Sequence, residues 1–432
     1  MSSEWPLVAI ENICELIVDC VNKTAPVVDQ VTPFRMIRTT NVRNGRINLN
    51  ECRYVEDETY KTWTRRAQLR IGDVILTREA PIGEVGLVTE AEGVFLGQRL
   101  MQYRANPSVL DSRYLLYSFL SPALQHQFNS HEGSGSVVSH IRVGDCFKFK
   151  LRLPPLSIQQ EIAVVLGAID DRITLLRETN TTLESIVQAL FKSWFIDFDP
   201  VRAKMEGCTP EGMDEATAAL FPDSFEESEL GLVPRGWQAL SFTETIDVIG
   251  GGTPKTSISE YWNGEIPWFS VVDAPSLNDV FVIDTEKHIT NVGLNSSSTK
   301  LLPVGTTIIS ARGTVGRLAL VGRAMAMNQS CYGLRGKVGD TYFTYFSTRR
   351  LVETLKQRTH GSVFDTITRD TLAGVSVVYP SDEIIDVFEK TLDSVMERIK
   401  GNLVQAQTLV TLRDTLLPRL ISGQLRLPDV LR

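Results

Sequence analysis

Gly135-Ser136-Val137, followed by Ile141, returns as Gly361-Ser362-Val363, followed by Ile367, and both intervals are 226 residues. At the same offset Pro154 matches Pro380 and Ile173 matches Ile399. Upstream, Gly72-Asp-Val-Ile-Leu with Ile82-Gly83 and Leu87-Val88 matches Gly305-Thr-Thr-Ile-Ile with Val315-Gly316 and Leu320-Val321, shifted by 233. Trp5 and Trp237 open the two copies, shifted by 232. A period this long is a tandem duplication and not a solenoid repeat. The chain is a globular unit plus a long helix, then the same again. Two copies in one chain can make a pseudo-two-fold object.

Each copy is strand-rich. Asp73-Val-Ile-Leu-Thr, Glu84-Val-Gly-Leu-Val-Thr and Phe147-Lys-Phe-Lys-Leu-Arg-Leu read as strands, punctuated by Gly72, Pro81, Gly83, Gly93 and Gly97. One helix is expected over Ser112–Asn129 in the first copy, with Pro122 as a stop after Leu120, and one over Thr341–Gln357 in the second. After Pro155 the period changes. Ser157 and Gln160 have the spacing of a capping box. Ile162, Val165, Leu166, Ile169, Ile173, Leu176, Leu183, Ile186 and Leu190 then form a helical stripe. From Ser157 to Ser193 such a helix is roughly 55 Å long at about 1.5 Å per residue. A second stripe runs from Ser381 through Ile384, Ile385, Phe388, Leu392, Val395, Ile399, Leu403, Ala406, Leu409, Leu412 and Leu416, with Pro418 as its expected end. Helices this long need a partner, and the simplest arrangement packs them on each other. The fold class is therefore α+β. The expected boundaries are a first strand-rich domain at 1–156, a long helix at 157–198, a linker at 199–233, a second strand-rich domain at 234–380, and a second long helix with its tail at 381–425. The linker, acidic and rich in Pro and Gly over Asp199–Arg235, reads as mostly irregular.

Composition narrows the function. No window has 18 uninterrupted apolar residues, so no membrane-spanning helix is expected, and the first residues lack the pattern of a signal peptide. Six scattered cysteines without a Cys-x-x-Cys predict reduced thiols in a cytoplasmic protein. The net charge of −8 looks unfavourable for binding nucleic acid. It is concentrated, however: residues 157–232 carry 5 Lys+Arg against 15 Asp+Glu, while 1–156 and 233–380 are at +1 and +2. Local potential governs contact with phosphates, so DNA binding by the globular units is permitted. No phosphate-binding loop is present, since Gly336-Lys337 is followed by Val338. No dinucleotide fingerprint, amino-methyltransferase tetrapeptide, nucleophile elbow or metal-spaced histidine set occurs either. No cofactor is expected in this chain.

Several stretches resemble the specificity subunits of type I restriction-modification systems. These are Ala189-Leu-Phe-Lys-Ser-Trp-Phe-Ile-Asp-Phe-Asp-Pro-Val-Arg-Ala-Lys204, Glu229-Leu-Gly-Leu-Val-Pro-Arg-Gly-Trp237, Gly251-Gly-Thr-Pro-Lys with Tyr261-Trp-Asn-Gly-Glu-Ile-Pro-Trp268, Ser310-Ala-Arg-Gly-Thr-Val-Gly316, and Leu416-Leu-Pro-Arg-Leu-Ile-Ser-Gly-Gln-Leu425. They occur in order along the whole chain. The resemblance implies a non-catalytic subunit with two target recognition domains, each reading half of a bipartite site in double-stranded DNA. The two helices would form an antiparallel coiled-coil spacer. Two modification (methyltransferase) subunits would bring S-adenosylmethionine, and restriction subunits would bring ATP and Mg.

Base readout needs fixed donors and acceptors on loops of a rigid fold. In the second unit the candidates are Arg312 and Arg317, flanking Gly313 and Gly316, with Asn328 and Gln329. The comparable positions of the first unit are Arg78, Gln98 and Arg99. The Gly-Ser loops add Ser136, His140 and Arg142 in one copy, and Ser362, Thr366 and Arg369 in the other. Arg35, Arg38 and Lys255 are candidates for phosphate contacts, which position without specifying. The glycines serve equally well as turn residues. Two other classes are open on residues alone: a helical adaptor or scaffold that never touches DNA, and an enzyme whose active site carries no readable motif.

Overall fold

The structure, a computed structural model, describes residues 5–130, 140–275, 279–358 and 366–427. The chain divides into two compact units, Met1–Ile173 with Gln407–Arg432, and Thr174–Ala406.

The first unit is built on an antiparallel sheet in which Cys14–Asp19, Leu100–Ala105, Val74–Arg78 and Ile82–Leu87 lie side by side in that order. Side chains of a strand alternate between faces. Val74 and Leu76 accordingly enter one core with Tyr103, Tyr114 and Phe119, while Ile75 enters another with Ile37, Val42 and Leu100. A smaller sheet joins Arg53–Tyr54, Arg35–Ile37 and Val94–Leu96. Leu7–Ala9 pairs with Lys150–Arg152 and closes the domain. The second unit repeats the plan. Its main sheet holds Ile246–Gly250, Cys331–Gly336, Thr307–Ser310, Leu318–Val321 and Phe281–Val282, and Gln238–Ser241 pairs with Ser376–Tyr379. Ile309 and Ile308 split between two cores as Leu76 and Ile75 do.

The duplication extends to single backbone hydrogen bonds. Gly72 N–H donates to Val88 O at 2.9 Å, and Gly305 N–H to Val321 O at 2.9 Å. Ile10 donates to Phe149 O and Phe242 to Val375 O, both at 2.9 Å. Gly72 and Gly305 have φ of +93° and +85°, where a Cβ would sit 3.3 Å from Ser112 Oγ and 2.8 Å from Thr341 Oγ1. The positive φ favours glycine at both positions, and at Gly305 a Cβ would also crowd Thr341.

Two long helices span Leu156–Phe195 and Asp382–Ser422. In the second unit they run antiparallel. As the first helix advances from Asn180 to Phe191, the facing residue of the other retreats from Asn402 to Phe388. In the first unit Asp170 meets Arg413, and Ile162 and Leu166 share a core with Leu417, Leu420 and Ile421.

Several expectations are corrected. The helix expected over Ser112–Asn129 is two helices, Ser112–Leu120 and Pro122–Asn129, because Pro122 cannot donate to the preceding turn and instead opens a new one. The first long helix begins at Leu156, so Ser157 lies inside it and is not its cap; Pro155 O accepts from Ile158 and Gln159. Ile186 is 55% and Leu412 45% exposed, and Val187 and Leu417 are buried instead. A period of 3.6 drifts off a fixed stripe over such lengths. Pro418 does not end the second long helix. It sits in the last turns, where buried Leu417, Leu420 and Ile421 offset the lost backbone bond, and Gly423 at φ +74° ends it.

The linker is not irregular. It forms helices Asp199–Met205 and Glu215–Leu220 and a hairpin, Phe225–Ser228 with Gly231–Pro234. A few aromatic residues hold it down: Phe198, Phe221 and Phe225 pack with Trp194 and Trp237. Lys204 Nζ donates to the carbonyls of Ala218 and Phe221. Among the described residues no helix is long and apolar enough to cross a membrane.

Candidate nucleic-acid interface

In the first unit four segments converge where Val74–Arg78 ends. Arg78 N–H donates to Arg99 O at 2.8 Å, and Ile141 N–H donates to Arg78 O at 2.9 Å. Thr39 Oγ1 donates to Ala80 O at 3.1 Å, and Gly97 N–H to Ile37 O at 2.8 Å. The segments at 37–41, 78–80, 97–99 and 140–142 thus form one loop platform. The second unit builds the same platform with other side chains. Ala311 N–H donates to Ser330 O at 2.7 Å, Ile367 N–H to Ala311 O at 2.9 Å, and Asn328 N–H to Phe269 O at 2.9 Å. Position by position, Arg78 corresponds to Ala311, Glu79 to Arg312, Gln98 to Gln329, Arg99 to Ser330, and Arg38 to Ser270.

The candidates differ in what their side chains do. Arg78 turns inward: Nη1 donates to Ile141 O at 3.1 Å, and Nε is buried without a partner. It ties the chain at Ile141 to the sheet. Its charge opposes the rise that burial imposes on the Tyr103 hydroxyl and on the Cys146 thiol, pushed up to about 11. Arg38 Nε is likewise buried without a partner, and Arg35 pairs with Glu90. Burial pushes the Cys52 thiol up to about 11, and Arg35 and Arg38 pull against that rise. Arg99 is exposed, holds the left-handed conformation at φ +68°, and faces Glu79 at 3.3 Å. A non-glycine residue there is strained by about 1 kcal/mol or more. Gln98 is half-buried, and His140 and Arg142 are exposed.

In the second unit Arg312 is exposed, and its backbone bridges Thr366, so the two loops run side by side. Arg317 is engaged within the fold: its guanidinium donates to the carbonyls of Ala274 and Pro275 at 3.4 and 2.5 Å. Asn328 Oδ1 accepts from Ser330 N–H at 3.0 Å, which shapes its own turn. Gln329 is exposed and accepts from the Thr253 hydroxyl, joining the Gly251–Lys255 loop to the platform. Trp268 Nε1 donates to Gly252 O at 3.0 Å in the same loop. Lys255 is exposed, as is Arg369, whose guanidinium donates to Val248 O at 3.2 Å. Gly313 and Gly316 are left-handed turn residues at φ +76° and +79°. Among the described residues, its chain neighbours aside, no atom lies within 4 Å of where a Gly313 Cβ would be, which leaves room for another surface to approach the backbone there. Ser136 and Ser362 lie outside the described residues.

One segment was missed on sequence. Asp19 pairs with Met101 and Gly250 with Tyr332, so the residues after Asp19 correspond to the Gly251–Lys255 loop. Asn22, Lys23 and Thr24 are exposed there. The first copy has no glycine run at this place, and only the offset between copies could have pointed to it. Among the described residues no group of His, Cys, Asp and Glu could hold a metal ion.

The sequence profile described as the type I restriction modification DNA specificity domain matches residues 3–185 and 234–405. The chain is 26% identical to the type I restriction enzyme HindI specificity subunit of Haemophilus influenzae, over 89% of this chain and 94% of that protein. It is 21% identical to the putative type I restriction enzyme MjaX specificity subunit of Methanocaldococcus jannaschii, over 98% and 94%. Its fold is similar to that of the crystallised type I restriction-modification S subunit from M. genitalium, with a TM-score of 0.57 and 15% identity over 97% and 96% of the two chains.

Proposed function

The chain belongs to the type I restriction modification DNA specificity family, and from that premise we propose that its two platforms read the two halves of a bipartite DNA site. The observation that carries this reading is the substitution of side chains on one conserved hydrogen-bond frame. Arg78, Glu79 and Arg99 in one copy correspond to Ala311, Arg312 and Ser330 in the other, while the backbone bonds beneath them repeat. One frame with two sets of donors and acceptors suits two different half-sites.

The chain is a specificity subunit and leaves the chemistry to others. Two modification subunits bring S-adenosylmethionine, and restriction subunits bring ATP, Mg and DNA cleavage. The long helices set the distance between half-sites and carry the modification subunits. Arg312, Gln329, Arg99, His140 and Arg142 are the side chains offered to base edges. Lys255 and Lys23, both exposed, are the side chains offered to phosphates. Arg78 and Arg317 act by holding the loops. Such a subunit works in the cytoplasm, with the DNA.

The test is selection of binding sites from random duplexes by the purified complex with its modification subunit. A two-part consensus with a constant gap supports the reading. Absence of any salt-dependent binding to DNA favours a helical scaffold that does not bind DNA.

A further inference from the structure

The closing strand of each unit pairs with another strand along one edge, and the two copies treat its other edge differently. Ile10 N–H to Phe149 O in the first copy and Phe242 N–H to Val375 O in the second fix which residues of the closing strand face their partner strand. Alternation then turns Lys150 and Arg152, and likewise Ser376 and Val378, to the open side. In the first copy this edge is capped. Lys150 N–H donates to Gln127 Oε1 at 2.9 Å, Gln127 Nε2 donates to Lys150 O at 2.8 Å, and the Tyr114 hydroxyl donates to Arg152 O at 2.8 Å. In the second copy the outward N–H and C=O groups of Ser376 and Val378 have no hydrogen-bond partner among the described residues. Phe343 stands where the first copy has Tyr114, so the capping hydroxyl is gone.

That open edge borders a groove of about 310 Å³. Its floor is Phe191, Phe195 and Phe343, and its far wall is the hairpin residues Leu230 and Leu232, which are 42% and 66% exposed. An unpaired strand edge beside an apolar floor is the geometry of strand addition: main-chain bonds hold the guest, and alternate side chains fill pockets. Charge bears on the guest. Residues 199–235 carry nine carboxylates against Arg202, Lys204 and Arg235, Glu227 and Glu229 are exposed at the hairpin, and Arg350, which lines the groove, lies 3.7 Å from Glu353. DNA is repelled from such a surface, and a basic polypeptide is drawn to it.

We propose that the edge Ser376–Tyr379 accepts an extended segment of the modification subunit as a third strand, its apolar side chains on Phe191, Phe195 and Phe343 and its Lys or Arg residues toward Glu227 and Glu229. This rests on the functional reading above, which supplies the partner. It gives the second copy a strand-edge contact that the first copy lacks.

The experiment is amide hydrogen exchange on the full chain, alone, with modification subunit and with DNA, alongside two variants. Assembly is expected to slow exchange at Ser376 and Val378 at least tenfold, with no comparable change at Lys150. Val378→Pro removes an outward N–H, and Leu232→Glu alters only the exposed groove wall; each is expected to weaken assembly at least tenfold. Leu232→Glu keeps the test decisive should the proline variant fail to fold. Assembly that leaves Ser376 and Val378 unprotected, or that tolerates Leu232→Glu, overturns the inference and leaves the functional reading standing. Protection of the same amides by DNA alone also overturns it. Failure of the parent chain to bind the modification subunit at all overturns the functional reading itself.

Discussion

Asn402 donates its side-chain amide to Asn180 Oδ1 at 2.9 Å, and Asn180 in turn donates to Ile399 O at 2.9 Å, inside the packed faces of the two long helices. The two side chains are 3% and 5% exposed. A buried polar pair bonds well in one alignment only, because any other leaves an amide unsatisfied. Asn402→Ala is therefore expected to cost about 1–3 kcal/mol, more than its contact area implies. Asn180→Leu with Asn402→Leu together should recover that loss, since replacing both partners by apolar groups is close to neutral. Denaturant unfolding of the single and double variants checks this. A double variant as unstable as the single one contradicts it.

Glu184 supplies a pH prediction. It is 2% exposed on the first long helix, and neither carboxylate oxygen makes a hydrogen bond of normal geometry. Burial, and next the charge of Asp279, pushes it up to about 8, against the pull of the Val280 N–H and Arg349. A carboxyl raised in the folded state is uncharged there and charged in the unfolded chain. It therefore destabilises folding increasingly as pH rises from its ordinary value of 4.5 to about 8, and by a constant amount above that. Glu184→Gln should match the parent's melting temperature near pH 4.5 and exceed it by a margin that grows up to about pH 8. Thermal unfolding across that range reads the difference. A gap that stays constant with pH rules the assignment out.

Arg312 is the sharpest test of base reading in the second unit. It is exposed beside Gly313, whose surroundings are open. Arg312→Ala should cost about 1–3 kcal/mol in binding to the specific duplex and much less on random DNA. Equal loss on both would assign Arg312 to phosphate contact. Lys255→Ala is expected to show that second pattern, with a shallower dependence on salt. Titrations at two salt concentrations separate the two residues.

The repeat, the long helices and the strand-rich plan were legible because they rest on period and on glycine placement, as at Gly72 and Gly305. The linker was not. Its composition is polar, and its order comes from aromatic residues that meet only in the fold: Phe221 packs on Trp194 and Trp237, and Phe198 on Phe225 and Trp237. The role of each arginine was illegible for a related reason. Arg78, Arg312 and Arg317 have similar loop contexts in sequence, and only the backbone carbonyls they reach distinguish a loop tether from a side chain offered to solvent. The contrast between the capped and open strand edges was hidden as well, since it depends on Gln127 and Tyr114 meeting Lys150 and Arg152.

The central claim is that one chain carries two readers of different sequence held at a fixed separation. It is tested most directly by mapping methylated positions in a genome where this chain is expressed with its modification subunit. The account predicts a methylated motif in two parts, with a gap of one constant length, and with one part altered when the 311–317 loop is mutated. A continuous motif, or a gap that varies from site to site, would contradict it.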